Sequence, residues 1–146
     1  APDIPAELSS KDYFGGTDPV LEAVLGFEAP GDLAGQLLWA YERGGFDAAY
    51  DRFYKFSNDP NTAELDIQAD LHQFGRALLE KDKFAEAVLV FERNAADHPD
   101  SFAAHLDLGE AYLGAGKRAE AAKSLEKALS LEPGDARAKE LLEKLR

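Results

Sequence analysis

Three histidines, His72, His98 and His105, are the side chains best placed by type to bind a metal or move a proton near neutral pH. None has a second ligand at the spacing of a metal motif, and His98 sits in the turn before Pro99. Ser9, Ser10, Ser57, Ser101, Ser124 and Ser130 have no surrounding motif that would make any of them a nucleophile. Gly15 and Gly16 form a pair with no lysine after it to hold a phosphate. Carboxylates are abundant, but singly, on what read as solvated helix faces. There is no cysteine, so neither a thiolate nucleophile nor a disulfide framework exists. The chain is expected to be no enzyme and to need no cofactor or metal, which shifts attention to binding.

Charge narrows the partners. The 146 residues carry a formal net charge of −12. Residues 1–66 hold 13 acidic and 4 basic side chains, and residues 67–146 hold 15 and 12. Nucleic-acid binding needs a basic stripe to displace counterions, and none is present. Apolar runs such as Ala87–Phe91 fall far short of the roughly 20 residues that span a bilayer, so membrane insertion is not expected. A protein or peptide partner remains, with basic partners favoured at the acidic N-terminal half.

The elements that must position such a surface are written twice. Gln68–Asp100 recurs within Phe102–Asp135 at a constant offset, which sets Gly75 over Gly109, Ala87 over Ala121 and Pro99 over Pro133. A fixed period of this length marks a helical array in which each helix pair hides its apolar face against its neighbours. In the second copy Leu108, Gly109 and Tyr112 share one face of the first helix, answered by Ala121, Leu125 and Ala128 on the second. In the first copy Phe74, Gly75, Leu78, Ala87 and Phe91 do the same. A small residue where helices cross lets their axes approach, and a large one fills the groove beside it. Lys81–Lys83 and Gly114–Lys117 are short breaks, and Gly116 suits a helix end because it tolerates positive φ. Each unit closes at a proline, and Asp100 and Asp135 are N-cap candidates.

These residues resemble the tetratricopeptide repeat. Leu108, Gly109, Tyr112, Ala121, Ala128 and Pro133 stand at the family's consensus places, while Asn94 departs where a small residue is expected and His105 where a bulky apolar one is. The resemblance implies an all-α fold, a right-handed superhelical array of antiparallel helix pairs with a C-terminal capping helix. Residues 62–100 form one repeat, whose first helix is extended to start near Thr62 after an Asn61/Glu64 capping box. Residues 101–134 form the next, and 135–146 the cap, with Leu141, Leu142 and Leu145 on its buried side. Residues 31–61 read as a degenerate helix pair: Asp32–Arg43, then Gly44–Pro60 with Ala49 and Phe53 matching Ala87 and Phe91.

In the resembling family the first helices line a concave groove for a ligand. Helical spacing then places Ala34, Leu38 and Tyr41, then His72, Arg76 and Leu79, then Leu106, Glu110 and Leu113 on that surface. The implied ligand is a peptide or protein segment with apolar anchors, Arg76 meeting a carboxylate and Tyr41 offering a rigid edge. The competing reading pairs Arg76 with Glu110 and covers the leucines with a neighbouring helix. The family's chaperone-binding members clamp a C-terminal carboxylate with Lys and Asn residues, and His72 and Leu106 stand in their place here.

Residues 1–30 hold four of the seven prolines and read as extended chain with a short helix over 18–25. Pro2, Asp3, Asp12, Tyr13, Phe14, Asp18, Pro19, Val20, Leu21 and Glu22 resemble the closing segment of bacterial carboxyl-terminal-processing peptidases of the tricorn-core type. With no methionine at its start, the chain reads as a mature or excised piece. The resemblance implies a C-terminal accessory domain of a larger peptidase-like protein, exported or periplasmic. The overall expectation is a noncatalytic interaction module, monomeric or weakly homodimeric. The alternative is an assembly module that forms a homodimer through its repeats.

Overall fold

The computed structural model describes residues 31–146, which form six α-helices and no strand. The short helix over 18–25 and the peptidase-like segment fall outside the described residues. The chain divides into two compact units, residues 1–65 and 66–146.

In the first unit, α1 spans Leu33–Asn58 and is broken at Gly45, whose φ of 71° and ψ of −161° are not helical. Only glycine adopts this backbone without strain. Arg52 Nε donates to Gln36 Oε1 across 2.9 Å. Sixteen residues of straight helix would separate the two by about 24 Å, so the chain folds back at Gly45 into a hairpin of two helices. Asp32 caps the first by accepting from Gly35 N at 2.6 Å. Leu33, Ala34, Leu37, Ala40 and Ala49 are its buried residues.

In the second unit the helices are α2 (Gln68–Glu80), α3 (Phe84–Asp97), α4 (Phe102–Gly114), α5 (Arg118–Leu131) and α6 (Ala136–Leu145). Each packs on the next, and α2 also lies against α4. This is the neighbour pattern of a repeat array, in which first helices stand side by side behind their second helices. The crossing points follow the period. A Cβ on Gly75 would overlap the ring of Phe91, which is fully buried, and one on Gly109 would lie 2.7 Å from Leu125 Cδ2. Between repeats, a Cβ on Gly114 would strike the ring of Phe84. Leu125, Ala138 and Leu141 join α5 to α6, where the last helix covers the end of the array. Tyr112 donates from its hydroxyl to Glu92 Oε1 at 2.5 Å, and burial together with that carboxylate pushes its pKa up to about 12.

Two local expectations change. The first helix of the 62–100 repeat does not reach back to Thr62. Asp59 Oδ1 accepts from the backbone and side-chain amides of Asn61, at 2.8 and 2.9 Å, and Thr62 Oγ1 donates to Phe56 O at 2.5 Å. These bonds close the preceding helix with an Asx-type turn, leaving α2 to begin at Gln68, whose N–H meets Asp66 Oδ1 at 3.0 Å. The N-cap of α4 is Ser101 rather than Asp100: its hydroxyl accepts from Ala104 N at 3.3 Å, as Asp135 accepts from Ala138 N at 2.7 Å. Ser101 and Asp135 are separated by the same offset as Gly75 and Gly109, so the cap keeps the period and Asp100 stands just ahead of it.

The turns inside the two repeats are the same Schellman closure. Lys117 N donates to Tyr112 O and Lys83 N to Leu78 O, both at 2.9 Å. The residue that must enter the left-handed region is Gly116, at φ 76°, in one copy and Asp82, at φ 56°, in the other. An L-residue there costs about 1 kcal/mol. Asp82→Gly is therefore expected to raise stability by up to about 1 kcal/mol, read as a higher urea midpoint at unchanged slope. A lower midpoint would show that the Asp82 side chain contributes more than its backbone costs.

Candidate functional site

The face shared by α2 and α4 carries a ladder of charges. His72 and Arg76 come from successive turns of α2, Asp107 and Glu110 from α4, and Arg137 from α6. His72 Nδ1 is hydrogen-bonded to Asp107 Oδ2. Arg76 Nη1 lies 2.5 Å from Glu110 Oε2 and 3.8 Å from Asp107 Oδ1. Glu110 Oε1 accepts from Arg137 Nε at 2.9 Å, so one carboxylate ties three helices together. Beyond it, Glu140 sits 3.7 Å from Arg137 Nη1 and 2.7 Å from Lys144 Nζ.

Asp107 is the unusual member. It is 5% exposed, and burial raises its carboxyl pKa although His72 and Arg76 oppose the shift. The folded form therefore binds a proton more readily than the unfolded chain, whose value is 3.8. Stability contributed by this group is fully present below 3.8 and is lost as pH rises through the folded pKa. Compared with Asp107→Asn, which cannot ionise, wild type is expected to lose stability as pH is raised through that acidic window. A difference that instead grew in favour of wild type with rising pH would mean that the ion pairs outweigh burial.

Beside Asp107 the two first helices leave a cleft of about 320 Å³. Asp66, Gln68, His72, Asn94 and Asp107 line it, with Ala69 and Ala104 among the small residues that leave room. Asn94, 1% exposed, donates from Nδ2 to Gln68 O at 3.3 Å, while its buried Oδ1 has no hydrogen-bond partner. Gln68 Nε2 meets Ser101 Oγ at the rim.

Of the residues expected on the groove, His72, Arg76 and Glu110 come together. Arg76 and Glu110 meet each other, as the competing reading had it. Leu79 is half-buried on α2. Leu106 and Leu113 are also half-buried, packed against the Leu125, Ala138 and Leu141 cluster, so they belong partly to the C-terminal core and are not free anchors. Ala34 is fully buried within its own unit, where Leu38 and Tyr41 are half-buried. His105 is turned away from His72, its Nε2 bonded to Pro99 O at 2.9 Å. Asp107 and Arg137 were not anticipated. Asp107 immediately follows Leu106, the repeat-equivalent of His72, and precedes Glu110 by one turn; that neighbouring line of the helix was the available signal. Among the described residues no group of three or more His, Cys, Asp or Glu is placed to hold a metal ion, and no helix is long and apolar enough to cross a membrane.

An array of helix pairs with a cleft between its first helices defines a helical-repeat scaffold. Residues 78–145 match the family model described as Tetratricopeptide repeat. The chain is similar to the first TPR domain of the human RPAP3 protein, at 25% identity and a TM-score of 0.56, over 77% of this chain and 86% of that one. It is likewise similar to the first TPR of Spaghetti (RPAP3) bound to the HSP90 peptide SRMEEVD, at 25% identity and a TM-score of 0.55, with the same coverage. MamA, at 22% identity and a TM-score of 0.56 over 97% of this chain and 84% of that one, shares the fold. No curated protein sequence matches the chain. The C-terminal unit thus has the helix-pair architecture of the tetratricopeptide repeat.

Proposed function

We propose that the chain is a noncatalytic adaptor whose α2 and α4 face holds a peptide or protein segment. The observation that carries this reading is the cleft between the first helices, with the charge ladder of His72, Asp107, Arg76, Glu110 and Arg137 beside it. The similar RPAP3 domain bound to an HSP90 peptide supports it by showing this fold used for peptide capture. Leu79 and the exposed edges of Leu106 and Leu113 supply apolar contact. The ligand differs from a C-terminal acidic peptide, because His72 and Leu106 stand where the family's carboxylate clamp has Lys and Asn residues. In this reading the protein is a monomer. Joined through residues 1–30 to a peptidase-like domain, it would recruit substrates.

Selection of binders from a displayed random peptide library against the intact chain tests this. Selected peptides are expected to lose binding about tenfold or more on Arg76→Glu and on Leu79→Ser. They should be unaffected by Lys123→Glu on α5, with the helical circular dichroism of all three variants unchanged. Equal loss on the α5 variant, or selection of no peptide, would contradict the proposal, and a chain that sediments as a dimer would favour assembly.

A further inference from the structure

We infer that the cleft between the starts of α2 and α4 is a seat for a cationic side chain, the ammonium of a lysine or the guanidinium of an arginine, presented by a bound peptide. This deepens the groove reading and rests on it. The surface of the cleft is largely apolar, with Ala69, Ala103 and Ala104 among its lining, and its polar lining includes two carboxylates. Asp66 and Asp107 are carboxylates, and Asn94 turns its amide so that Nδ2 is taken by Gln68 O. That leaves Asn94 Oδ1 buried and unsatisfied. A buried carbonyl oxygen without a donor costs about 1–3 kcal/mol, and a rotation of the amide that turns Oδ1 toward the cleft lets a ligand N–H remove that cost. In the second repeat Ala128 occupies the corresponding place, at the same offset that separates Gly75 from Gly109. The asparagine is therefore not demanded by the packing of the repeat.

Asp107 gives the same indication independently. Its carboxylate is nearly withdrawn from water, and its neighbours compensate it incompletely. His72 bonds Oδ2, and the nearest cation, Arg76, sits 3.8 Å from Oδ1 because it is engaged at 2.5 Å with Glu110. A cation entering the cleft reaches Oδ1 with little competition. Asp66 supports this from the rim, where it is 74% exposed and lies 3.5 Å from His98 Nε2.

The starts of α2 and α4 oppose the idea, since each helix N-terminus carries roughly half a positive charge. Two full carboxylates exceed that, and the amides an anion would use are partly engaged: Gln68 N with Asp66 Oδ1 and Ala104 N with Ser101 Oγ. At about 320 Å³ the cleft lies at the small end of ligand sites, suited to one long side chain rather than a folded element.

The experiment is a ¹H–¹⁵N correlation titration of the full chain with three capped pentapeptides, each with two alanines on either side of lysine, norleucine or glutamate. The lysine peptide is expected to shift the Asn94 side-chain amide and the Ala103 and Ala104 amides saturably, and to bind about tenfold more tightly than the norleucine peptide. Asp107→Asn and Asn94→Ala are each expected to weaken the lysine peptide about fivefold or more, the latter in a fold that already accepts alanine at the matching position. A glutamate peptide shifting the same resonances equally would overturn the inference. So would a lysine titration unchanged by Asp107→Asn, or no shift up to about 10 mM. Shifts along Arg76 and Leu79 alone, alike for all three peptides, would remove the cation seat and leave the groove standing. Loss of the groove itself is read separately, from the library-selected peptides.

Discussion

Replacing Phe91 with alanine is expected to destabilise the protein by about 3–5 kcal/mol, a large part of the roughly 5–15 kcal/mol that holds a typical domain folded. The ring is fully buried and fills the space that Gly75 leaves by lacking a Cβ. Glycine there sacrifices roughly 1 kcal/mol of helix propensity, which is recovered only while a large side chain occupies the gap. Removing the ring leaves α2 and α3 facing a void that neither helix can close without losing its hold on α4. Phe91→Leu should cost only about 1 kcal/mol, because Leu125 serves at the equivalent place in the next repeat. Gly75→Ala attacks the same contact from the other side by overpacking. Chemical denaturation would measure all three, and near-equal effects of alanine and leucine at position 91 would contradict the wedge.

Leu125→Ala is expected to cost about 2–5 kcal/mol and to reach the α2 and α4 face as well. Leu125 is fully buried against Gly109 on one side and belongs with Ala138 and Leu141 of the capping helix on the other. Leu106 and Leu113 rest on this cluster. Its truncation should loosen α6, withdraw Arg137 from Glu110 and relax the lower half of the charge ladder. Hydrogen exchange is expected to show α6 opening first, with α2 and α3 retaining protection. Uniform loss of protection along residues 66–146 would instead mean that the cap and the repeats unfold as one body.

These two residues were legible in the sequence because packing positions repeat. The pairs Gly75 with Phe91 and Gly109 with Leu125, the closing prolines and the Gly116 turn all follow from the single offset that carries one copy onto the next. Where the chain leaves the period, reading was harder. The residues between Pro60 and Gln68 have capping chemistry at both ends, and only the bonds from Asp59 and Thr62 show that they finish one helix instead of starting the next. The groove was half legible. Helical spacing says which residues share a face, and so it gathered His72, Arg76 and Glu110. It does not say which parts of that face another helix covers, and so Leu106 and Leu113 were read as anchors although they pack on the C-terminal cluster. Asp107 escaped because a lone carboxylate on a helix ordinarily means solvated surface, and its burial depends on α2 and α4 lying side by side. Asn94 was noticed only as a departure from a small residue, with no sign in the sequence that its side-chain oxygen would be left without a donor.

In the proposed function the α2 and α4 face, and no other, receives the partner. The most direct measurement is cross-saturation from a library-selected peptide onto the amide protons of the ²H,¹⁵N-labelled chain. Attenuation centred on His72, Arg76, Leu79 and Asp107 is the expected result. Attenuation centred on the outward sides of α3 and α5, with those four amides untouched, would contradict it.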